Sequence, residues 1–259
     1  MHYFEFDPAP PLAAHVSRYW GMTVGAQVPR GFGHQIFPDG CMAIACGRSA
    51  TGEVRSSLVG PRAEPLTVTV NPGDRFWGVS FWPDAGGAVL HEEPRRLHGH
   101  LVAPLTEPVW ALTLSRAMAA CNDEAAAAGV ADEQLAAPVA AAAPLDTIVR
   151  AAVVALVASN GEMEIAELAR GVGLSLRQFE RRFGAATGLN PKQFARIRRM
   201  RSALAHLLSP SPRTWSEVAA DFGYADHSHL VRDFTQLAGL TPSEAAERVR
   251  SIVHGKVRP

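Results

Sequence analysis

The stretch that decides the fold is IAELARGVGLSLRQFERRFGAATGLNP at residues 165–191, because a related stretch, SEVAADFGYADHSHLVRDFTQLAGLTP, follows at residues 216–242. The copies share Glu, Ala and Gly positions at an offset of 50 and, after one inserted residue, Phe, Gly and Pro positions at an offset of 51. Two copies are too few for a solenoid, whose repeats are stabilised by stacking on neighbours. Each copy is therefore predicted to be a small unit that the chain uses twice.

The first copy reads as a helix, a tight turn and a second helix. Apolar residues at helical spacing precede Gly173, where the chain is expected to turn sharply. Ser175 is a good N-cap, and Gln178 three residues later is typical of a capping box. Phe179 and Phe183 then lie one turn apart, so they are predicted to share the buried face of the second helix.

The second copy repeats this pattern with one added residue. Gly223 marks the turn, Asp226 is the predicted N-cap, and Leu230 and Phe234 repeat the apolar pair. The insertion falls at Ala225, so the turn into the second helix is predicted to be longer by one residue. A short helix, a glycine turn and a capped second helix are typical of the helix-turn-helix motif.

The two units are predicted to be joined by a long helix over residues 191–208, which is rich in arginine on one side and apolar on another. An amphipathic helix over residues 145–158 precedes the first unit. The prolines at residues 209–212 predict a loop, after which Thr214 or Ser216 can cap the next helix.

Length and composition point to an ordinary globular protein of one or two domains. The chain has 259 residues, of which 47% are hydrophobic and 19% are charged. It has no apolar run long enough to span a bilayer, and its start lacks the pattern of a signal peptide, so we expect a cytoplasmic location. Three cysteines, an odd number, argue against a disulfide framework and favour buried thiols over a redox role.

The net charge of zero hides an asymmetry between the two halves. Residues 1–144 carry a net charge of −5, and residues 145–259 carry +5. The basic half contains both helix-turn-helix units, as contact with DNA phosphates requires. Chance partition of surface charge would be the simpler interpretation if the motif were absent.

The N-terminal half is predicted to be β-rich. In residues 1–114, short apolar runs such as 66–70 and 78–82 are separated by Pro, Gly and Asp. Residues 12–20 are predicted to form either a helix or an edge strand. The Ala-rich residues 119–144 predict one or two poorly packed helices or an interdomain linker, because alanine favours helix whereas Gly and Pro interrupt it.

The second helix of each unit is predicted to enter the major groove of DNA, which is wide enough for one α-helix. Arginine can bind guanine in bidentate fashion and glutamate can accept from cytosine, while helix N-termini and polar side chains can hold phosphates. The predicted DNA-binding residues are Ser175, Leu176, Arg177, Glu180, Arg181, Arg182, Lys192, Arg196, Asp226, His227, Ser228, His229 and Arg232.

The region from about residue 148 to 249 resembles the DNA-binding domain of the AraC/XylS-type bacterial transcription regulators. The resemblance covers roughly two-fifths of the chain and is specific because it rests on an ordered set of residues. In the first half the matching residues are Ala169, Gly173, Ser175, Phe179, Arg182, Phe183, Gly188 and Pro191, followed by residues 201–204. In the second half they are Ala219, residues 222–224, Asp226, Ser228, His229, Phe234, Gly239 and residues 241–243.

This resemblance implies two helix-turn-helix units on one chain, placed on successive major-groove faces about 34 Å apart. Short blocks at residues 18–20, 37–41, 59–61 and 78–83 also resemble the β-rich sensor domain of some members of this family, which implies a role in effector sensing. Aromatic residues are expected to line an apolar pocket there. The predicted effector-binding residues are Trp20, Phe37, Trp77, Phe81 and Trp82, although plain core packing suits most of them individually.

A histidine-rich segment suggests a different class of function. His91, His98 and His100 can be drawn together as a metal site of a β-barrel enzyme, but the surrounding polar residues favour a solvated loop. The chain shows no catalytic Ser/His/Asp or Cys/His order and no phosphate-binding glycine loop. We therefore expect no catalytic residues, no metal and no cofactor.

Together these patterns predict an α+β chain with a β-rich, barrel-like sensor or dimerisation domain at residues 1–144 and an all-α DNA-binding domain at 145–259. The predicted function is sequence-specific DNA-binding transcription regulation under the control of a small molecule. Alternatives are an effector-independent regulator with a purely dimerising N-terminal domain, and a metal-dependent β-barrel enzyme fused to a DNA-binding domain. We expect double-stranded DNA as a partner, with a small-molecule effector, RNA polymerase and a second copy of the chain as further candidates, and no membrane.

Overall fold

The computed structural model describes residues 1–208 and 214–256, with side chains up to residue 252. The loop predicted at residues 209–212 lies outside these ranges. In the described part of the chain, no helix is both long and apolar enough to cross a bilayer.

Two β-sheets form the N-terminal part. The strands are β1 (His2–Phe6), β2 (Val16–Thr23), β3 (Phe32–Ile36), β4 (Ala43–Arg48), β5 (Val54–Val59), β6 (Leu66–Val70), β7 (Arg75–Phe81), β8 (Leu101–Val102) and β9 (Val253–Lys256). A seven-stranded sheet has the order β8-β5-β4-β7-β2-β1-β9, and β3 and β6 pair separately as an antiparallel ribbon. Strand β9 comes from the far end of the chain and lies parallel to β1, so both ends of the chain meet in one sheet.

Helices dominate the rest of the chain. They are α1 (Gly86–Leu90), α2 (Val109–Ala120), α3 (Glu124–Ala140), α4 (Thr147–Ala158), α5 (Ile165–Gly171), α6 (Leu176–Thr187), α7 (Pro191–Leu207), α8 (Trp215–Asp221), α9 (His227–Ala238) and α10 (Pro242–Arg250). A β-rich N-terminal part followed by a helical C-terminal part confirms the predicted α+β class.

The two faces of the seven-stranded sheet have different neighbours. Tyr19 on β2 and Trp77 on β7 are almost fully buried in a core shared with α2 and α3, and the Tyr19 hydroxyl donates to Asp132 on α3 at 2.8 Å. Successive side chains of a strand point to opposite faces. Arg18 and Trp20 therefore lie on the other face, which α2 and α3 do not cover.

The Ala-rich segment is a packed helix, so the predictions of poor packing and of a linker are wrong. Helix α3 runs without a break through Gly129, and Pro138, which cannot donate a backbone N–H, lies only two residues before the end of the helix. Ala131 and Leu135 are fully buried in the core under the sheet. Small alanine side chains let α3 pack closely against its neighbours, which the breaker residues alone did not reveal.

Residues 12–20 form neither a helix nor an edge strand. A 3-10 turn covers Pro10–Leu12, and β2 then begins at Val16. Strand β2 pairs with β1 on one side and with β7 on the other, so it lies inside the sheet. The burial of Val16 and Tyr19 explains the apolar pattern that resembled one face of a helix.

The helical part has its own apolar core. The ring centroid of Phe183 lies 5.9 Å from that of Phe179 and 5.9 Å from that of Phe194. All three side chains are fully buried. Residues of this core begin at Val149 on α4, whereas Leu135 on α3 belongs to the core under the sheet. We therefore propose that the domains divide near residue 144, as the sequence predicts.

Several contacts join the two parts. The carboxylate of Asp84, which is fully buried, accepts from Arg150 Nε on α4 at 2.7 Å. Gln35 Nε2 on β3 donates to the Ala238 carbonyl of α9 at 2.9 Å. At Gly40, a Cβ atom would lie 2.8 Å from the Phe194 ring of α7. The N-terminal part therefore contacts α4, the joining helix α7 and the second helix-turn-helix unit.

The packing of α3 can be tested with Leu135→Ala. Deleting most of a fully buried leucine side chain is expected to lower the free energy of unfolding by about 2–5 kcal/mol, measured by urea denaturation. Glu133→Ala, on the exposed side of the same helix, is the control and is expected to change it by less than about 0.5 kcal/mol. Equal, small effects of both substitutions would mean that α3 is not part of the core.

Candidate nucleic-acid interface

The first helix-turn-helix unit consists of α5, a short turn and α6. Gly173 adopts a φ of +70°, a left-handed conformation that favours glycine, and reverses the chain between the helices. Ser175 accepts from the Gln178 N–H, and the Gln178 side chain accepts from the Ser175 N–H at 3.0 Å. This is the predicted capping box. Phe179 and Phe183 are fully buried, so the opposite face of α6 points outward.

The second unit consists of α8, a longer turn and α9. Gly223 adopts a φ of +64°, and Asp226 accepts from the His229 N–H at 2.7 Å to start α9. The cap follows the glycine by three residues here and by two in the first unit, so the predicted insertion at Ala225 is confirmed. Leu230 and Phe234 are fully buried, as expected.

Helix α7 joins the two units and begins at its own capping box. Asn190 accepts from the Gln193 N–H at 2.7 Å, and Pro191 occupies the first turn, where its missing N–H has no helical partner to lose. Seventeen residues give this helix a length of about 25 Å. Thr214 caps α8 through Glu217, which confirms one of the two caps predicted there, whereas Ser216 lies inside the helix.

Most of the predicted DNA-binding residues lie on the outer surface of the two second helices. On α6 the exposed residues are Leu176, Arg177, Glu180, Arg181 and Arg182, and on α9 they are His227, Ser228 and Arg232. Lys192 at the start of α7 is also exposed. Within the ranges that the structure describes, the side chains of Arg177, Arg181, Lys192 and Arg232 make no ion pair or hydrogen bond, so their charges are available to a ligand.

Other predicted residues are already engaged within the protein. Ser175 and Asp226 hold the helix starts. His229 is half-buried, accepts from the Ala225 N–H through Nδ1 at 3.3 Å and packs edge-on against the Tyr224 ring. The Arg182 guanidinium donates to Asp146, the residue that caps α4. This bond, together with the N–H groups of α4, holds the pKa of Asp146 below its usual range, although partial burial opposes the shift.

Arg196 is placed where it cannot reach DNA without breaking an ion pair. Its guanidinium donates to Asp233 on α9 at 2.7 and 3.0 Å, and the Asp233 side chain is only 5% exposed. Its neighbours on α7 also turn inward, because Arg199 donates to the Gly161 carbonyl and its guanidinium lies over the Tyr224 ring. Two of the arginines on α7 therefore make internal contacts. Sequence patterns do not reveal these contacts, because the partners lie on distant elements.

Two family models match the chain. One, described as a helix-turn-helix domain, covers residues 168–248, and the other, a domain of unknown function (DUF6597), covers residues 4–103. The C-terminal part of the chain is an AraC-type helix-turn-helix domain. The match includes both units and the joining helix, and confirms the resemblance seen in the sequence.

Solved structures of AraC-type proteins are similar to the chain. A probable AraC family regulator from Rhodopseudomonas palustris is 27% identical, with 40% of this chain and 97% of that chain covered and a TM-score of 0.36. An AraC-type regulator from Chromobacterium violaceum is 22% identical, with 39% and 91% covered and a TM-score of 0.36. ToxT from Vibrio cholerae is 11% identical, with 90% and 97% covered and a TM-score of 0.49. Among curated proteins, no sequence matches significantly.

A large cavity lies between the N-terminal sheets and the AraC-type domain. Its volume is about 1150 Å³, and its walls come from the open face of the seven-stranded sheet, from β3 and β6, and from helices α7 and α10. Of the predicted effector-binding residues, Trp20 and Phe37 line this cavity. Trp77 and Phe81 are buried in the core on the opposite face of the sheet, and Trp82 donates to the Ala13 carbonyl away from the cavity.

A partly buried ion-pair network lines the cavity. Arg18 contacts Asp39 at 2.5 Å and Glu5 at 3.3 Å. Although burial opposes ionisation, the guanidinium groups of Arg18 and Arg201 and the Cys41 N–H hold the pKa of Asp39 below its usual range. Burial, followed by the charge of Asp39, raises the pKa of the Cys41 thiol to about 12, which keeps it protonated and unreactive at neutral pH.

The segment that suggested a metal site is a series of turns. Residues 91–100 contain no strand, so His98 and His100 do not share a strand face. In the described part of the chain, no group of three or more His, Cys, Asp or Glu side chains lies close enough to hold a metal ion. The three cysteines are free thiols, and Cys41 precedes strand β4.

Arg196→Met separates a structural role from a DNA contact. The substitution leaves the Asp233 carboxylate buried without its partner, so the free energy of unfolding is expected to fall by about 3 kcal/mol. Arg181→Met, which removes an exposed and unpaired arginine, is the control and is expected to change it by less than about 0.5 kcal/mol. An Arg196→Met protein that is as stable as the unsubstituted protein would contradict the structural role.

The acid sensitivity of the protein should depend partly on His34 in the cavity wall. Burial, helped by the charge of Arg248, lowers the pKa of His34 to about 4. Between pH 6.5 and 4 the unfolded chain then binds a proton that the folded protein does not. The free energy of unfolding therefore decreases as the pH is lowered through this range. The loss from pH 7.5 to 5 is expected to be about 2 kcal/mol.

The free energy of unfolding is measured by urea denaturation at pH 7.5 and at pH 5. His34→Leu is expected to remove the part of its pH dependence that comes from His34. His100→Asn, at an exposed histidine, should leave the pH dependence unchanged. Identical pH dependence of His34→Leu and the unsubstituted protein would mean that His34 titrates normally.

Proposed function

We propose that the protein is a sequence-specific DNA-binding transcription regulator that reads one asymmetric DNA site with two unequal helix-turn-helix units. The observation that carries this proposal is the presence of two capped recognition helices with exposed, unpaired cationic side chains, joined by a single helix. Exposure without an internal partner is what a contact to DNA requires, because a paired arginine would first have to break its own ion pair.

The outer residues of α6 offer a distinct set of base contacts. Arg177 and Arg181 can each bind guanine O6 and N7, and Glu180 can accept from cytosine N4. Leu176 at the helix start is 45% exposed and is suited to contact a thymine methyl group. On α9 the corresponding contacts are fewer, with Arg232, His227 and Ser228 exposed. The two units therefore read different bases.

Phosphate contacts position the units on the duplex. The starts of α6 and α9 can contribute phosphate contacts, because helix N-termini attract phosphates. Lys192 at the start of α7 can add a charge between the units. Because such contacts carry no sequence information, their loss weakens binding to all DNA equally.

Control by a small molecule belongs to the same proposal. The cavity between the sheets and the AraC-type domain supports it, because helix α7 contributes to the cavity wall and to both helix-turn-helix units. A molecule bound there would touch the element that sets the relative position of the two units. RNA polymerase and a second copy of the chain are further proposed partners.

Simultaneous Arg181→Ala and Arg232→Ala tests the assignment of the recognition residues. Binding sites are first obtained by genome-wide selection of DNA bound by the unsubstituted protein. Each base contact contributes about 1–3 kcal/mol, so specific affinity for a selected site is expected to fall by about 30-fold or more, measured by fluorescence anisotropy. Affinity for random DNA should fall much less.

Arg116→Ala, at an exposed and unpaired arginine of α2, is the control and should bind the selected site normally. Unchanged discrimination between selected and random DNA in the double variant would show that other residues read the bases.

A further inference from the structure

A segment of the N-terminal part, residues 94–98, lies against the recognition helix α6. We propose that this segment is a third DNA-contacting element, in which Arg95 binds a backbone phosphate beside the bases that α6 reads. This role rests on the proposed DNA-binding function. Phosphate contacts position a protein on the duplex and supply affinity for DNA of any sequence.

Two glycines one helical turn apart let the 94–98 segment approach α6 closely. A Cβ atom at Gly184 would lie 2.6 Å from Arg95 Nη2, and one at Gly188 would lie 2.7 Å from the Pro94 carbonyl oxygen. The same Nη2 atom donates to the Arg181 carbonyl at 3.0 Å. The Arg95 guanidinium therefore occupies the space that a side chain at position 184 would fill.

Position 184 continues the outer strip of α6. Residues three, four and seven positions apart lie on one face of a helix. Position 184 therefore follows Arg177, Glu180 and Arg181 along the face that is proposed to read bases. Because glycine has no side chain to offer there, Arg95 supplies the cation at a point where α6 itself carries none.

The place of position 184 along α6 suits a phosphate better than a base. The first residues of a recognition helix contact base edges in the major groove. Gly184 lies in the second half of α6, roughly 12 Å along the helix axis from Leu176. The major groove is itself only about 12 Å wide. With the start of α6 in the groove, Arg95 lies toward the groove edge, where the phosphates run.

A polar cleft beside Arg95 leaves room for the phosphate. The cleft has a volume of about 360 Å³, and its walls include Glu180 on α6 and Asn190 and Gln193 at the start of α7. Within the described ranges 1–208 and 214–256, neither Arg95 nor Glu180 forms an ion pair. The bond to the α6 carbonyl uses one N–H group of the guanidinium, so the others can donate to phosphate oxygens.

The 94–98 segment is anchored to the sheet behind it. Leu97 packs against the core under the sheet, and the Gly99 N–H donates to the Pro61 carbonyl at 2.8 Å. Arg62 donates to the Gly99 carbonyl at 3.0 Å. An ordered backbone lowers the conformational entropy lost on binding. Arg95 lies beside α6 only while the two parts of the chain are docked, so docking adds affinity for DNA.

Arg95→Ala in the full-length protein tests this contact. Affinity for a selected site and for random DNA is measured by fluorescence anisotropy at salt concentrations from about 50 to 200 mM. Both affinities are expected to fall about three- to tenfold, and the slope of log affinity against log salt should become less steep by about 0.9, as for the loss of one phosphate contact. Discrimination between the two DNAs should be unchanged.

Three further variants separate a phosphate contact from a structural role. Arg96→Ala removes the neighbouring arginine, which pairs with Glu93 at 2.7 Å, and is the control with an expected change of less than about twofold. Arg95→Lys keeps the charge and should restore most of the salt slope. Gly184→Ala places a methyl group where the guanidinium lies, so it should reproduce the effect of Arg95→Ala. The double variant should then bind no more weakly than either single variant.

Each contrary result has a defined meaning. Unchanged affinity and salt dependence of Arg95→Ala would show that Arg95 does not touch DNA. Higher affinity would show that the 94–98 segment shields α6 instead of extending it. A loss confined to the selected site would show that Arg95 only positions α6. Failure of the proposed function itself is seen without any substitution, as equal binding of selected and random DNA by the unsubstituted protein.

Discussion

Burial of the apolar strip of helix α7 is the interaction on which both halves of the molecule depend. Phe194, Ile197 and Met200 are fully buried in the core that also holds the second helices of both units. The helix thus fixes α6 and α9 relative to each other without any direct contact being needed between them. Helix α7 also meets the N-terminal part, because the Phe194 ring lies against Gly40 and Arg201 lines the cavity. A single helix is in this way shared by the core, the recognition helices and the cavity.

This sharing explains why charge on α7 is distributed so differently from charge on α6. A helix exposed on one side can carry unpaired arginines at little free-energy cost, because water solvates them. On a helix that is covered on most sides the free-energy cost is higher, since a buried guanidinium without a partner loses its hydration. Arg196 and Arg199 accordingly have internal acceptors in Asp233 and the Gly161 carbonyl. Arg201 differs from them because the side of α7 that carries it faces an open cavity.

Local features of the fold could be predicted from the sequence because their causes are local. A cap, a glycine with positive φ and an apolar pair one turn apart each involve residues within one or two turns of the chain. Features that depend on distant partners could not. Trp20 and Trp77 are both strand tryptophans, yet one lies on the cavity floor and the other in the core, and only the sheet order decides which. The burial of α3 likewise depends on the sheet beneath it, and the ion pair of Arg196 depends on a carboxylate 37 residues away.

The contacts of the N-terminal part with the two units bear on how a cavity ligand and DNA would influence each other. Arg95 donates to the Arg181 carbonyl of α6 at 3.0 Å, and Gln35 donates to the Ala238 carbonyl at the end of α9 at 2.9 Å. Both acceptors are backbone atoms, so the outer side chains of the recognition helices stay free in the docked arrangement. Docking therefore fixes the orientation of each unit without covering its exposed residues. A ligand that stabilises docking must then favour DNA sites whose spacing matches this orientation, and by linkage such sites must favour the ligand to the same extent. Any such coupling would reside in the relative position of the units, because the residues that line the cavity are not the exposed residues of α6 and α9.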